Sequence, residues 1–246
     1  MSSTLCLNGI VTNYTDYRDN DRILSLFTFE QGRVDVKARN CRKPTAPLLN
    51  CAQPFTYGEF ELFYYKNKYT VNQFELKESF FPLREDFDRF SIAGMATQLC
   101  HDVVQPEQPN EELFSLLYHT LSFLSYGTSD PIDLAICFLV RYFNLIGYCP
   151  TITSCANCSR DLRGDRQIFF SAMRGGAICL ACCQGEPHIS KLALEAMRRM
   201  LLLLDVEMPS VVLKPELRKE LLNVLVRYSD QVLGEGNRAT SCLKQN

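Results

Sequence analysis

The chain lacks tryptophan, long apolar runs and an excess of charge of either sign. Among its 246 residues there is no Trp, and 26 Lys and Arg face 28 Asp and Glu, which gives a formal net charge of −2. This balance excludes a strongly basic coat for nucleic acid, although it allows a local basic surface. The longest apolar runs, such as residues 200–204, are far shorter than the roughly 18 residues of a membrane span, so we expect none.

Catalytic signatures are also missing. The sequence contains no phosphate-binding G-x-x-x-x-G-K-[ST] motif, no dinucleotide-binding G-x-G-x-x-G motif and no G-x-S-x-G nucleophile elbow. The three histidines, His101, His119 and His188, are dispersed along the chain, and no acidic pair stands out as a general acid and base. We therefore expect a protein that is not an enzyme.

Cysteine, by contrast, is abundant, with 12 residues. The N-terminal residues lack the basic start and the apolar stretch of a secretory signal, so we expect a cytoplasmic protein with reduced thiols. If the cysteines are reduced, they are expected to be metal ligands or buried thiols rather than members of disulfides.

Apolar patterns divide the chain into a strand-rich start and a helical remainder. Five apolar segments with polar turns between them fall within residues 4–80 and predict a small barrel or a sandwich. From residue 82 onward, apolar residues recur at helical spacing. Asp130 and Pro131 predict the start of one helix, and Pro215 that of another. The predicted helices cover residues 84–104, 110–126, 131–146, 191–204 and 215–233.

Two C-x2-C pairs, 20 residues apart, carry the most specific signal. Their members are Cys155, Cys158, Cys179 and Cys182. A spacing of two residues turns both thiolates of a pair toward one ion, and four soft thiolates in a tetrahedral array select zinc. The sequence therefore predicts one structural Zn²⁺ with no open coordination position. Cys183 and His188 are close enough to compete as the fourth ligand, but Cys182 keeps the two-residue spacing.

A cluster of positive charge lies in the third predicted strand and just after it. It comprises Arg33, Lys37, Arg39, Arg42 and Lys43. Side chains of a strand alternate between two faces, so the odd-numbered cations would lie on the solvent face, opposite Val34, Val36 and Ala38. A basic sheet face near aromatic rings is how small barrels hold a single-stranded nucleic-acid backbone. A solvated face that protects an edge strand is the alternative.

Six aromatic residues belong to the next predicted strand. They are Phe55, Tyr57, Phe60, Phe63, Tyr64 and Tyr65. Rings of this kind can stack on nucleic-acid bases, but for each of them we favour a place in the barrel core.

Several of these segments together resemble a known family. They are residues 9–11, 20–39, 42–43 and 141–150, and the cysteine pairs with Phe170-Ser171 and Gly175-Gly176 between them. Over nearly its whole length the chain resembles the RecO family, the recombination mediators of bacterial DNA repair. The family usually has a glycine where this chain has Asn40, and asparagine tolerates a positive φ better than most residues.

The resemblance implies an α+β multidomain protein. It implies an N-terminal OB-fold β-barrel that binds DNA, followed by an α-helical bundle with an inserted four-cysteine zinc module. The barrel is expected over residues 1–80 and the helical domain over residues 81–149 and 189–237. The zinc module is expected over residues 150–188 and a flexible tail over residues 238–246.

The resemblance also implies a function and partners. Such a protein binds single- and double-stranded DNA and anneals complementary strands. With RecR, it helps to load RecA onto single strands coated with single-stranded-DNA-binding protein, whose C-terminal tail it contacts. It would act in the cytoplasm, in association with the nucleoid. The basic cluster would neutralise phosphates, and Arg141, a cation in a very apolar predicted helix, is the candidate contact for the acidic tail. A local salt bridge or a snorkelling side chain is the alternative for Arg141.

Other interpretations stay open. One alternative to a DNA mediator is a zinc-stabilised scaffold that binds proteins without touching DNA. Another is a nucleotide enzyme with a structural zinc lid, which the missing phosphate-binding motifs disfavour. A second, weaker basic surface is expected on the zinc module, formed by Arg160, Arg163, Arg166 and Arg174.

Overall fold

The computed structural model describes residues 3–234 and 239–245. The chain divides into two compact units, residues 1–126 and 127–246. The first unit contains β1 Ser3–Tyr17, β2 Asp21–Thr28, β3 Gly32–Ala38, β4 Tyr57–Tyr65, β5 Lys68–Glu78, α1 Phe87–Val103 and α2 Glu111–Tyr126. The second contains α3 Pro131–Leu145, β6 Ile168–Ser171, β7 Gly176–Cys179, α4 Lys191–Leu202, α5 Pro215–Leu233 and a 3-10 helix, Ala239–Gln245.

The five strands of the first unit form a barrel in the order β1-β2-β3-β5-β4, and β4 pairs with β1 to complete it. The pairing of β3 with β5 is parallel and covers only two residue pairs, Val36 with Tyr69 and Lys37 with Thr70. The other four pairings of the barrel are antiparallel. A five-stranded barrel with one such short seam is an OB-fold. The expected fold class is therefore confirmed.

Alternation along the strands builds the barrel core. In β3, Val34, Val36 and Ala38 are buried, whereas Asp35 between them is exposed. A side chain period of two turns every second residue inward, and the inward residues of this chain are apolar. The same pattern in the other strands supplies the rest of one core cluster, including Leu7, Val11, Leu24, Leu26, Phe60, Leu62 and Val71.

The turns on either side of β3 each contain a residue with a positive φ. Gly32 opens β3 with a φ of 69°, and a Cβ there would lie 2.4 Å from the carbonyl oxygen of Gln108 and 2.5 Å from that of Gln105. Only glycine fits this close approach of two backbones. Asn40 has a φ of 52°, and its N–H donates to Asp21 Oδ1 over 2.8 Å. In the turn after β3, asparagine thus adopts the positive φ that it tolerates better than most residues.

Helices α1 and α2 belong to the same compact unit as the barrel. The Asp86 side chain begins α1 by accepting hydrogen bonds from the N–H groups of Asp88 and Arg89. Helix α2 turns Phe114 toward the barrel, where its ring centre lies 5.3 Å from that of Phe27. From the sequence, we expected these two helices to belong to one helical domain with the later helices. The compact units of the structure group them with the barrel.

Helix α3 forms the centre of the second unit because it is apolar almost all round. Its residues 134–140 are buried, and α4 and α5 both pack against it. Asp133, only 2% exposed, accepts hydrogen bonds from Arg218 Nε over 2.8 Å and from the Leu213 N–H over 3.1 Å. A buried carboxylate thereby ties α3 to α5. Neither α3 nor any other helix of the described residues has the length and apolarity to cross a membrane.

Between α3 and α4, a small module is built on the hairpin of β6 and β7. Thr151 bridges to Gly176, where a Cβ would lie 2.3 Å from the Thr151 carbonyl oxygen. The absence of a side chain at Gly176 therefore lets the chain entering the module lie directly against β7.

The last described segment packs onto α5. Within the 3-10 helix Ala239–Gln245, Leu243 is 3% exposed, and Lys244 Nζ lies 3.0 Å from Asp230 Oδ2. Of the tail that was expected to be flexible, residues 238 and 246 lie outside the described residues.

Candidate nucleic-acid interface and metal centre

The outer face of β3 and the loop after it carry the predicted basic cluster. Alternation turns Val34, Val36 and Ala38 into the barrel, so the odd-numbered side chains of β3 face outward. The side chains that lie there, half-buried or exposed, are Arg33, Lys37, Arg39, Arg42 and Lys43.

Acidic side chains from β1 and β2 accompany this cluster. Lys37 Nζ lies 2.9 Å from Asp21 Oδ2 and 4.7 Å from the centre of the Tyr17 ring. Arg42 Nη1 lies 3.5 Å from Asp16 Oδ2. The hydrogen bond from Lys37 holds the pKa of Asp21 below its ordinary value. The sequence pattern missed these pairs, because the fold of the strands and of the loop after β3, rather than spacing along the chain, brings their members together.

The remaining cations of the cluster differ in their surroundings. Arg33 Nε is buried and has no hydrogen-bond partner among the described residues. The backbone N–H of Arg33 donates to the carbonyl oxygen of Gln105, just after α1, over 3.1 Å, so Arg33 lies on the α1 side of the face. Arg39 and Lys43 are exposed and form no ion pair within residues 3–234 and 239–245. Arg39 and Lys43 are therefore the cations of the cluster most available to a ligand.

Most of the six aromatic residues considered for base stacking are packed. Phe55 and Phe60 are buried. The rings of Tyr57 and Tyr64 pack against other aromatic rings. Phe63 and Tyr65 are exposed, because their positions in β4 turn their side chains to solvent. The core placement favoured from the sequence is therefore wrong for these two residues.

The four paired cysteines come together in the second unit. All four Sγ atoms lie within 4.8 Å of one another. Cys179 ends β7, and Cys182 ends the 3-10 turn that follows it. The Sγ atoms of Cys158 and Cys179, one from each pair, are 3.8 Å apart. Four thiolates at such distances can surround a single metal ion.

Hydrogen-bond donors stabilise negative charge on this cluster. Burial opposes ionisation of Cys155, but N–H groups of Cys158, Cys179 and Asn157 outweigh it and lower the pKa of Cys155 to about 6. The side-chain amide of Asn157 donates to Cys182 Sγ over 3.2 Å. Despite this hydrogen bond from Asn157, the neighbouring cysteines raise the pKa of Cys182 to about 11. The donors therefore favour the metal-binding thiolate form at Cys155, and a bound cation would favour it at all four cysteines.

The two alternative ligands lie outside the cluster. Cys183 Sγ donates to the carbonyl oxygen of Glu186 over 3.9 Å. The His188 ring packs edge-on against Phe169, with 5.9 Å between ring centres. Among the residues that the structure describes, the group able to hold a metal ion consists of the four paired cysteines.

Acidic neighbours reduce the positive charge of this module. Arg160 pairs with Asp165 and Arg163 with Asp161, each at 2.5 Å. Arg166 is exposed and forms no ion pair in the described part of the chain. The module therefore offers less free positive charge than its four arginines indicate.

Arg141, the candidate contact for a partner's acidic tail, lies in a polar network of the second unit. Its Nη2 is 2.5 Å from Asp205 Oδ1, and both side chains are 15% exposed. Its Nη1 donates to the carbonyl oxygens of Met200 and Leu203 at the end of α4. The local salt bridge, considered as the alternative role, is thus present and explains a cation in so apolar a helix.

The fold and these groups define a class of protein: an OB-fold barrel with a basic outer face, followed in the chain by a helical unit with a four-cysteine centre. Comparison with known families narrows the class. Family models described as Recombination protein O N terminal and Recombination protein O C terminal match residues 1–80 and 84–241. The chain belongs to the RecO family.

Individual relatives agree with this assignment. DNA repair protein RecO of Bacillus pumilus is 32% identical over 229 residues, which cover 92% of this chain and 88% of the relative. The DNA repair protein RecO of Halalkalibacterium halodurans is 30% identical over 231 residues, or 92% and 89% of the two chains. That of Pelotomaculum thermopropionicum is 34% identical over 197 residues, or 79% and 75%. The family expected from the resemblance is therefore confirmed, and with it an assignment to DNA repair and recombination.

Proposed function

We propose that the chain is a DNA-binding recombination mediator. It anneals complementary single strands and, with RecR, helps to load RecA onto single-stranded DNA coated with single-stranded-DNA-binding protein. The observation that carries the proposal is the basic cluster on the outer face of β3 and the loop after it, since this part of an OB-fold is a common nucleic-acid surface. Membership of a family whose relatives are named DNA repair proteins supports it. The role requires no catalytic side chain.

The cations contribute to DNA binding unequally. Arg39 and Lys43 are exposed and can neutralise phosphates without breaking an ion pair. Lys37 and Arg42 must exchange an aspartate for a phosphate, since Asp21 and Asp16 hold them in the free protein. Each phosphate contact releases counterions, so binding is expected to weaken steeply with salt and to depend little on sequence.

Annealing requires that two negatively charged strands be screened from each other. The barrel face would screen one strand. A second, weaker contact would come from the arginines of the four-cysteine module, of which Arg166 is unpaired among the described residues. Reversing the charge of Arg163 and Arg166 is expected to slow annealing while leaving single-strand binding by the barrel intact, and unchanged annealing rates would remove this contact.

The metal of the four-cysteine centre is proposed to be Zn²⁺. Cys155, Cys158, Cys179 and Cys182 supply four soft ligands and leave no position for a substrate, so the ion would fold the module. RecR and the C-terminal tail of single-stranded-DNA-binding protein are the proposed protein partners, with Arg141 a candidate contact for the tail. The proposed location is the cytoplasm, near the nucleoid.

The test measures annealing of complementary oligonucleotides coated with single-stranded-DNA-binding protein, and DNA binding, over a salt series. Lys37→Ala with Arg39→Ala is expected to weaken binding for all sequences alike and to flatten the salt slope by about two units. Lys219→Ala removes an exposed charge from α5 and serves as the control. An unchanged slope in the double variant would move the interface away from β3. Failure of the wild type to bind DNA at low salt would favour the scaffold alternative.

A further inference from the structure

Two aromatic rings lie exposed near the tip of the β4–β5 hairpin. Phe63 and Tyr65 are two residues apart in β4, so both point to the outer face, away from the buried Leu62. They are 44% and 51% exposed. Their ring centres are 6.5 Å apart, and the ring planes differ by 22°. The two rings are therefore nearly parallel, face solvent and lie outside the barrel core.

Strand register places these rings in line with the basic cluster. Phe63 is the cross-strand partner of Thr70 in β5, and Thr70 is the partner of Lys37 in β3. Neighbouring strands lie about 4.8 Å apart, so roughly 10 Å of sheet separates Phe63 from Lys37. The acid on this face of β3, Asp35, accepts a hydrogen bond from Ser25 over 2.5 Å. An extended chain lying across β4, β5 and β3 would therefore meet rings first and cations next.

The tip of the hairpin adds positive charge beside the rings. Lys66 Nζ lies 5.3 Å from the centre of the Tyr65 ring, and Lys68 is the cross-strand partner of Tyr65. Both lysines are exposed and form no ion pair within the residues that the structure describes. The nearest acid in β4, Glu61, accepts a hydrogen bond from Asn72. Rings flanked by free cations are complementary to a ligand that carries both flat apolar groups and negative charge, as nucleic acid does.

We propose that Phe63 and Tyr65 stack on unpaired bases and thereby give the barrel a preference for single-stranded over double-stranded nucleic acid. The inference rests on the proposed DNA-binding function and specifies which form of DNA the surface selects. Phosphates occur in both forms, so the cations alone select neither. Base faces open to stacking occur only in single strands, and aromatic side chains accept any base. The rings therefore supply selectivity for strand form without selectivity for sequence.

The test compares three oligonucleotides of equal length: a thymidine single strand, an abasic strand with the same phosphates, and a duplex. Binding is measured by fluorescence anisotropy at low salt. The wild type is expected to bind the thymidine strand at least about tenfold more tightly than the abasic strand. Phe63→Ala with Tyr65→Ala is expected to bind both strands alike, with the abasic affinity of the wild type and unchanged duplex binding.

Three further variants separate stacking from other effects. Phe63→Tyr with Tyr65→Phe keeps both rings and is expected to keep the preference. Phe87→Ala removes a ring that is 81% exposed at the start of α1, and it is expected to leave the preference intact. Lys43→Ala is expected to weaken binding of the thymidine and abasic strands by the same factor, because it removes an exposed charge of the basic cluster and no contact with either ring.

The outcomes are distinct. A wild type that binds thymidine and abasic strands equally would overturn the inference while leaving the proposed DNA binding in place. A double alanine variant that keeps the preference would overturn the inference as well, and would favour a protein partner as the ligand of the two rings. A wild type that binds none of the three oligonucleotides would remove the proposed function itself, and this inference with it.

Discussion

The barrel and the four-cysteine module reach an ordered structure by different means. The barrel buries one continuous apolar cluster, in which Leu24, Val36 and Phe60 are fully buried. The module has two strands of four residues each and, beside them, four thiol groups within 4.8 Å of one another. Core packing therefore stabilises the barrel, whereas a bound metal ion is expected to stabilise the module. A mutation in the barrel removes one contact of many, but a mutation of a paired cysteine removes one ligand of four.

The largest effect is expected from Cys179→Ser. Loss of one of four ligands is expected to reduce the metal content from about one ion per chain to near zero and to expose the amides of the module to hydrogen exchange. The barrel amides are expected to keep their protection. Elemental analysis and hydrogen exchange measure both parts. Cys183→Ser, which changes a thiol outside the cluster, is the matched control, and retained metal in Cys179→Ser would contradict the ligand assignment.

A core mutation in the barrel is expected to destabilise the barrel and to leave the four-cysteine module intact. Phe60 is fully buried, so Phe60→Ala is expected to lower the free energy of unfolding of the barrel by about 3–5 kcal/mol through lost burial and a cavity. Denaturant unfolding followed by hydrogen exchange of the strand amides measures the loss. The metal content is expected to stay unchanged, and its loss in this variant would show that the two regions depend on each other.

The helical unit adds a third kind of support, a buried ion pair. Asp133→Ala leaves the Leu213 N–H without its buried acceptor and leaves Arg218 with Asp130 as its remaining partner. It is expected to cost about 2 kcal/mol in the free energy of unfolding. Urea unfolding followed by circular dichroism measures it. Asp161→Ala is the control, because its pair with Arg163 is exposed at the surface and is expected to matter little. Equal destabilisation by the two changes would contradict the role of burial.

The smallest effect is expected at the surface of the barrel. Lys43 is exposed and unpaired among the described residues, so Lys43→Ala is expected to flatten the salt slope of DNA binding by about one unit without changing thermal stability. Lys219→Ala, an equal change of charge in α5, is expected to leave the slope as it is. Identical slopes for wild type and Lys43→Ala would place Lys43 outside the interface.

Much of the fold could be predicted from the sequence, because the barrel and helices depend on local patterns. The alternation of Val34, Val36 and Ala38 gave the inner face of β3, and the predicted helix over residues 215–233 has the limits of α5. The two C-x2-C spacings identified the four residues that come together. In each case the signal lies within a few neighbouring residues.

Other features depend on contacts between distant segments, which local patterns do not reveal. Asp21 reaches Lys37 across the β2–β3 ladder, and Asp205 reaches Arg141 from a segment beyond α4. The aromatic content of β4 was interpreted as core, although parity alone would have separated Phe63 from Leu62 once the strand's register was fixed. The sequence thus located the cations but not the acids that neutralise them.

The short seam between β3 and β5 has a consequence for biosynthesis. While the ribosome makes the chain, β1 to β4 can already form an open sheet in the order β4-β1-β2-β3, with β3 and β4 as unpaired edges. Only β5, 11 residues long, can close it. Translation proceeds at roughly 5–20 residues per second, so about one second passes between synthesis of β4 and synthesis of β5. During this time, both edges of the sheet can pair with other chains. Slow translation of the β4–β5 hairpin would lengthen this interval, so the yield of soluble protein should depend on codon choice in that segment.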